Sequence, residues 1–359
     1  MEGERLQEVG RRIRHLRRKR ELSLRRLSEQ CGLSVGFLSQ IERGLSSFSI
    51  PSLRAICSAL DVSLAEMLVM SNGPGKAFLA DPRPATITRG DSHSYVSLSD
   101  TSTKYRFLST AFPGRRFEAF IGEMAAGSAQ EFHHHEGEEF GYVVEGGLDL
   151  TIGEERHRLG PGDSYHLLAT TPHRCAACES EGAKVLWVQT ARYARAIALL
   201  GGDPGSSKRN GEPQDAAIGA GAPSHVQLSD STVAYRFLSG PLAKGRLQSL
   251  VAEIPAGYRD APKAYEGEEF GYVLEGRVRL SIGEESYVLG NGDCYHLPAS
   301  NPHGHATAED GGAKLLLVRM ATSGEEADEA WRAATQGEEA PNPGAAAHVR
   351  SHQSGGTDV

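Results

Sequence analysis

The N-terminal segment carries an apolar stripe whose members are three or four residues apart, the spacing of one helix face. The stripe consists of Leu6, Val9, Ile13 and Leu16. It predicts a first helix that buries these side chains and exposes its arginines.

Four more short helices are predicted before residue 70. Their spans are 24–31, 34–42, 51–60 and 64–68. Ser23 and Ser34 are suited to cap the second and third helices. Gly44 is a stop signal for the third helix, and Pro51 fits the first turn of the fourth. The segment therefore predicts a five-helix bundle.

From about Tyr95 the pattern changes to short alternating stretches separated by Gly, Pro and Asp turns, which predicts a barrel or a double sheet. Residues 96–190 recur as residues 226–320 at a constant offset of 130, without a gap and with nearly half of the positions identical. The chain thus contains two copies of one β domain.

These patterns predict a multidomain protein of the α plus all-β class. The expected parts are a helical domain at 1–70, a linker at 71–90, a first β domain at 91–200, a flexible linker at 201–222, a second β domain at 223–322, and an acidic helix with a disordered tail at 323–359.

Charge is divided unevenly along the 359 residues. Residues 1–70 hold 12 Lys and Arg against 8 Asp and Glu, a net charge of +4. The rest of the chain therefore carries −12, which gives the whole chain its net charge of −8. A basic first domain on an acidic body predicts a polyanion partner for that domain. The odd number of cysteines, five, argues against a disulfide framework and for the reducing cytoplasm. The sequence contains no apolar run of about 18 residues, so no membrane span is predicted.

The segment 24–44, LRRLSEQCGLSVGFLSQIERG, followed by IPSLRAICSALDV, resembles the helix-turn-helix of the phage-repressor-like (Cro/C1-type) family. The resemblance covers residues 5–68. Leu24 stands where the family often has Gln, and Ser28 stands where it usually has Ala. The resemblance implies that the third helix enters the major groove of double-stranded DNA by its N-terminal end. A bundle that has lost DNA binding is the alternative.

Two groups of side chains are assigned on this basis. The expected DNA contacts are Arg25, Arg26, Ser34, Val35, Gly36, Ser39, Gln40 and Arg43, and the expected core positions are Leu33, Phe37, Leu38 and Ile41. The first two arginines are expected on phosphates and the others at base edges. One such domain has a small interface, so useful affinity implies a homodimer on a two-fold operator.

The first β copy contains the motif G-x5-H-x-H-x3-E-x6-G at 127–146, followed by a Gly-Asp turn and by Pro-His at 172–173. These motifs resemble the cupin family, which implies two tandem double-stranded β-helix (jelly-roll) barrels. Residues i and i+2 of a strand face the same side, so His133 and His135 should both point inward, with Glu139 and His173 joining them. This set suits a divalent Fe, Mn, Ni, Cu or Zn ion with positions left open for a chelating small molecule.

The second copy departs from the motif. Lys263 and Tyr265 replace the two histidines, while Glu269 and His303 remain. A protonated amine repels a cation, so no metal is expected there. Two roles stay open: a polar pocket for an anionic effector built from these four residues, or assembly of the dimer alone.

The two resemblances together imply a bacterial regulator class that joins a repressor-like helix-turn-helix to a cupin sensor. We therefore expect a cytoplasmic, dimeric transcriptional regulator that binds an operator and senses a small-molecule effector. The alternative is a mononuclear metal enzyme, an oxygenase, epoxidase or isomerase, because a phosphonate epoxidase family also joins such domains. The sequence shows no further acid–base group, so no catalytic residue is assigned and a regulator is preferred over an enzyme.

Overall fold

The computed structural model describes residues 2–48, 50–60, 62, 67, 86–91, 95–97, 102–109, 115–135, 137–190, 216–218, 226–227, 232–238, 246–264 and 267–320. The chain divides into two compact units, residues 1–222 and 223–359. Among the described residues, no helix is both long enough and apolar enough to span a membrane.

The described part of the N-terminal segment forms four helices. They are α1 (Glu2–Lys19), α2 (Leu24–Cys31), α3 (Val35–Glu42) and α4 (Ile50–Ala59). Ser23 caps α2 as predicted, because its side chain accepts a hydrogen bond from the Arg26 N–H, and Gly32 ends that helix in the left-handed conformation. The predicted fifth helix lies outside the described residues except for Met67, which is helical and buried.

The helices enclose an apolar core that follows the predicted stripe. Val9 and Ile13 of α1 are buried, and Leu6 and Leu16 pack against them. The further buried members are Leu27, Leu38, Ile41, Phe48, Leu53, Ile56, Cys57 and Leu60. Of the four core positions expected around α3, Leu38 and Ile41 are fully buried, and Leu33 and Phe37 pack at the margin.

One arginine of α1 contradicts the prediction that the arginines of this helix are exposed. Arg17 is buried and bonds the Glu42 carboxylate twice, at 2.5 Å through Nε and at 2.9 Å through Nη2. Its Nη1 donates to the carbonyl of Leu22. The backbones of α1 and α3 also approach closely, since a Cβ at Gly10 would lie 2.1 Å from the Ile41 carbonyl oxygen. The ion pair therefore fixes the end of α3 against α1.

The first β domain is a pair of antiparallel sheets. Its strands are β2 (Tyr95–Ser97), β3 (Thr103–Phe107), β4 (Phe117–Met124), β5 (Glu138–Gly146), β6 (Leu148–Ile152), β7 (Glu155–Leu159), β8 (Ser164–Leu168), β9 (His173–Ala177), β10 (Ala183–Thr190) and β11 (Ala216–Ile218). The short strand β1 (Thr86–Thr88) precedes them in sequence. One sheet has the order β11-β8-β5-β10-β4-β3-β2 and the other the order β7-β6-β9. This is the double sheet that the alternating pattern predicts.

Part of the predicted flexible linker at 201–222 is a strand. Residues 216–218 pair antiparallel with β8, with Ala216 opposite His166. The backbone hydrogen bonds of this pairing hold the segment on the first β domain, although the segment precedes the second repeat in sequence. The described part of the linker at 71–90 likewise contains β1.

The second β domain repeats the architecture. Its strands are β12 (Val226–Gln227), β13 (Ala234–Phe237), β14 (Leu247–Ile254), β15 (Glu268–Ile282), β16 (Glu285–Gly290), β17 (Cys294–Pro298), β18 (His303–Ala306) and β19 (Ala313–Met320). The strand order is β17-β15-β19-β14-β13-β12, and β16 and β18 pair with the far end of β15. β15 is continuous where the first copy breaks between β5 and β6, because Arg277 replaces Gly147 and a strand-interior glycine weakens a strand.

We predict that Glu42→Gln weakens the helical domain by about 3–5 kcal/mol, because it leaves the Arg17 charge buried without its carboxylate partner. The matched control is Arg25→Met, which removes the exposed pair of Arg25 with Glu29 and should change stability by less than about 0.5 kcal/mol. The readout is the urea dependence of thiol labelling at Cys57, a buried residue of α4. Equal labelling curves for the two variants would contradict the assignment.

Candidate metal centre and nucleic-acid interface

Helix α3 presents a mixed polar surface at its N-terminal end. Ser34 caps the helix, and its side chain accepts a hydrogen bond from the Phe37 N–H at 3.2 Å. Ser34, Val35 and Gly36 are exposed, and Val35 keeps 43% of its surface although it is apolar. Gln40 is exposed one turn later. The helix therefore buries one face and leaves the predicted reading face open.

The four remaining members of the predicted DNA set, all polar, flank this face. Ser39 is half-buried, while Arg43 is exposed and its Nε donates to the Ser39 carbonyl at 3.1 Å. Arg25 and Arg26 are both exposed in the first turn of α2. All eight predicted DNA contacts thus lie on α2, on α3 or at their ends.

Ser28 explains one departure from the helix-turn-helix pattern. Its hydroxyl donates a hydrogen bond of 2.6 Å to the Leu33 carbonyl, in the turn between α2 and α3. A half-buried hydroxyl is costly only when it is unbonded. The turn therefore accepts Ser where the pattern usually has Ala.

The four predicted metal ligands come together in the first β domain. One ligand atom from each of His133, His135, Glu139 and His173 lies within 4.8 Å of the others. Glu139 is on β5 and His173 begins β9, while His133 joins His173 through a two-way backbone bridge of 3.1 and 2.9 Å. The middle residue of the His-His-His run, His134, is exposed, as alternation along an extended segment requires.

Backbone carbonyls fix which nitrogen of two imidazoles faces the cluster. Nδ1 of His133 lies 3.0 Å from the Glu131 carbonyl oxygen, and Nδ1 of His173 lies 2.8 Å from that of Thr171. A carbonyl can only accept, so each Nδ1 carries the proton and each Nε2 presents a lone pair. This second contact of a ligating imidazole is the arrangement that holds histidines on metals.

The Glu139 carboxylate is held from behind by neutral donors. Tyr165 donates to Oε1 at 2.6 Å, and the Gln189 amide donates to Oε2. Trp187 in turn donates to the Tyr165 hydroxyl at 2.6 Å. The tyrosine ring crosses β5 at Gly141, where a Cβ would lie 2.2 Å from the ring. That contact explains why both copies have a glycine two residues after this glutamate.

The residues present fit a divalent metal ion. Ligands bonded at about 2.0–2.2 Å lie at most about 4.4 Å apart across an ion, close to the size of this cluster. Glu139 is 2% exposed, and its Oε2 lies 3.1 Å from His135 and 3.6 Å from His173. Burial raises the pKa of Glu139, but its interactions with these two histidines outweigh burial and hold the pKa well below its usual value. The carboxylate is thus ionised and faces the imidazoles.

The equivalent cluster of the second β domain contains a cation of its own. Glu269 is fully buried, and Arg319 Nε bonds its Oε2 at 2.7 Å. Tyr295 donates to Oε1 at 2.5 Å, and His303 lies 3.3 Å from the same oxygen. His305 lies 2.8 Å from the Tyr295 hydroxyl, and burial lowers the pKa of His305 to about 4. This is a closed ion-pair network.

Lys263 does not pair with the buried glutamate of this barrel. Its Nζ lies 3.5 Å from Asp260, and its side chain is 53% exposed. The partner of Glu269 is Arg319 instead. Tyr265 lies outside the described residues. Of the four residues of the predicted pocket, only Glu269 and His303 are in contact in the described part of the chain.

Sequence reasoning missed Arg17, Gln189 and Arg319. The signal for the last two was available, since each is a polar side chain that follows four consecutive apolar residues near the end of its strand, and the two are 130 positions apart. Gln189 lies directly opposite Glu139, and Arg319 directly opposite Glu269. Arg17 gave no such signal, because in the sequence it is indistinguishable from the neighbouring arginines that are exposed.

Comparison with protein families gives two assignments. A cupin-domain model matches residues 120–189 and again 250–319, and a helix-turn-helix model matches residues 8–69. The HTH-type transcriptional regulator SutR of Escherichia coli K12 is 30% identical over 166 residues, which cover 45% of this chain and 82% of SutR. The regulator PuuR of the same strain is 27% identical over 164 residues, covering 46% of this chain and 84% of PuuR.

Two solved structures are similar in fold. Oxalate decarboxylase of Lactobacillus farciminis aligns with a TM-score of 0.51 and 13% identity, over 68% of this chain and 88% of that one. Protein Ylba of E. coli aligns with a TM-score of 0.50 and 13% identity, over 69% of this chain and 98% of that one. At this identity the matches show the fold alone.

We predict that His133→Ala removes metal binding, whereas His134→Ala, one residue away, preserves it. The first change deletes a ligand, and the second removes an exposed imidazole. The loss should exceed the roughly 10–100-fold typical of outer-shell changes. The measurement is quenching of Trp187 fluorescence by Co²⁺ or Cu²⁺ in a Trp331→Phe background, which leaves one of the two tryptophans. Equal affinities in the two variants would place the metal elsewhere.

Proposed function

The chain belongs to the helix-turn-helix transcriptional regulators, with cupin domains, and from that premise we propose that it binds a specific operator as a homodimer and senses a small-molecule effector through a metal ion in its first barrel. The observation that carries the proposal is that one chain combines an exposed polar face on α3 with a cluster of four side chains suited to bind a metal ion.

The chemistry of α3 fits direct reading of base edges. Arginine and glutamine donate paired hydrogen bonds in the major groove, to guanine and adenine respectively, which assigns this task to Arg43 and Gln40. Val35 is apolar yet 43% exposed, which suits contact with a thymine methyl group. Ser34, Gly36 and Ser39 let the helix approach the bases closely. The exposed Arg25 and Arg26 would bind phosphates and set the register.

The proposed dimer is based on the DNA affinity expected of a single helix-turn-helix domain. One helix-turn-helix domain buries too little surface for tight binding, and such domains read two half-sites about one helical turn apart. A two-fold protein on a palindromic operator meets both requirements. A regulator of this kind acts in the cytoplasm, where the five free thiols expected from the sequence stay reduced.

The effector would bind at the metal. His133, His135, Glu139 and His173 would hold a divalent Fe, Mn, Ni, Cu or Zn ion, which supplies open positions for a chelating oxygen ligand such as a carboxylate. Effector binding would favour one placement of the DNA-binding heads. A coupling of about 1–3 kcal/mol would change operator affinity roughly 5–150-fold.

We assign the second barrel to assembly of the regulator. An anion pocket built from Lys263, Tyr265, Glu269 and His303 is the alternative, but Glu269 and His303 already bond within the barrel. Lys263 is turned towards Asp260. An effector that bound equally well to His133→Ala protein would favour that pocket.

The second candidate function is a mononuclear metal enzyme. The observation in its favour is the ligand set itself, because three imidazoles and a carboxylate with open positions are competent for metal-assisted chemistry. Turnover of a chelating substrate by metal-loaded protein, abolished in His133→Ala and retained in His134→Ala, would establish it.

Selection of fragmented genomic DNA by the purified full-length protein at physiological salt should enrich a small number of palindromic sites. Arg43→Ala should lose about 1–3 kcal/mol of specific binding by removing a base contact, and Ser39→Ala should also weaken it. Arg156→Ala removes the same charge from an exposed position on the first barrel and serves as the control. Equal, salt-sensitive affinity for every sequence would contradict the regulator.

His173→Ala should spare operator binding and lose metal, since its side chain lies in the barrel and far from α3 in sequence. Metal content by mass spectrometry and operator affinity are measured on the same preparation. Loss of both properties in a protein that remains folded would contradict the assignment of operator binding and metal binding to separate domains.

A further inference from the structure

The two barrels differ at one position directly behind the buried glutamate. Gln189 in the first barrel and Arg319 in the second are equivalent by the offset of 130. Each lies opposite the glutamate on the neighbouring strand, and each donates to Oε2 of that glutamate. The geometry is conserved, and only the charge of the donor changes.

The charge matters because both carboxylates are buried. Glu139 is 2% exposed and Glu269 is 0% exposed. A buried carboxylate needs hydrogen bonds and a compensating positive charge to remain ionised. In the first barrel the donors Tyr165 and Gln189 are neutral, so three imidazoles and a metal ion would complete the balance. In the second barrel Arg319 supplies the charge at 2.7 Å.

Half of the ligand set survives in the second barrel with its orientation intact. His303 Nδ1 lies 2.7 Å from the Asn301 carbonyl oxygen, the same arrangement as His173 with Thr171. Nε2 of His303 therefore still points at Glu269, 3.3 Å away. The loss of two histidines leaves too few ligands for a strong metal site. The guanidinium on the glutamate closes the site to cations as well, because it repels a second positive charge.

We propose that Arg319 is a built-in cation that replaces the metal ion in the second barrel, and that the residue at position 189 or 319 decides whether a barrel takes up a cation from solution. The inference rests on the proposed metal site of the first barrel. It makes the protein asymmetric: one barrel would gain stability with metal, and the other would be indifferent to chelators.

The test transfers the arginine to the first barrel of the full-length chain. Gln189→Arg should lower metal content from one ion per chain to none while the barrel stays folded. Gln189→Met removes the same hydrogen bond without adding charge, so it should still bind one ion, with affinity reduced roughly 10–100-fold as for other outer-shell changes. Metal content is read by mass spectrometry, and folding by thiol labelling of Cys178, which is buried in this barrel.

The second arm removes the arginine from the second barrel. Arg319→Gln should increase labelling of Cys294, the buried thiol of that barrel, and Arg319→Lys should restore protection because it returns the charge. The control is Lys314→Gln on the same strand, where Lys314 pairs with the exposed Glu275. EDTA should not alter Cys294 labelling in the wild type.

The proposal is overturned if Gln189→Arg still binds one ion, or if Arg319→Gln protects Cys294 as well as the wild type does. These results are separable from failure of the proposed metal function. A wild-type chain that binds no metal would refute the metal site, yet Arg319→Gln would still show whether Arg319 neutralises Glu269. If Gln189→Arg unfolds the first barrel while Gln189→Met does not, position 189 cannot accept the cation and the proposal is wrong.

Discussion

A buried carboxylate organises both barrels of this protein. Glu139 and Glu269 lie inside their sheets, and each accepts a hydrogen bond from a tyrosine, Tyr165 or Tyr295. The tyrosine can reach the carboxylate only because the strand beneath its ring has a glycine. The duplicated sequence keeps these parts and changes what neutralises the charge. On the proposal made above, the two barrels differ in the source of one positive charge.

The helical domain depends on a comparable interaction. The Arg17–Glu42 pair joins the first helix to the end of α3, the proposed reading helix, where the backbones are too close for any side chain at Gly10. A base-reading helix must be held within a fraction of an ångström, because its hydrogen bonds to base edges are directional. A buried bidentate pair provides that rigidity at a site where an apolar contact would allow sliding.

Much of this architecture was predictable because apolar side chains recur at regular spacing and the β domain is repeated in the sequence. Helical spacing, serine caps and glycine stops placed α2 and α3, and the repeat with its His-x-His spacing brought four ligands to one point. The burial of Arg17 could not be predicted this way, because a hydropathy pattern treats every arginine as a surface residue. Arg319 could be found only by comparing the two copies of the repeat. The ion-pair partner of Lys263 could not be predicted either, since spacing gives its position but the pairing with Asp260 depends on the fold. The strand at 216–218 was missed because a Gly- and Pro-rich surrounding hides a short pairing segment.

If the two barrels share one fold and have opposite requirements for metal, native mass spectrometry of the full-length protein will show it. The protein is purified without metal and then supplied with excess Co²⁺ or Zn²⁺. The expected result is one tightly held ion per chain, lost in His133→Ala. Two ions per chain, or none, would contradict it.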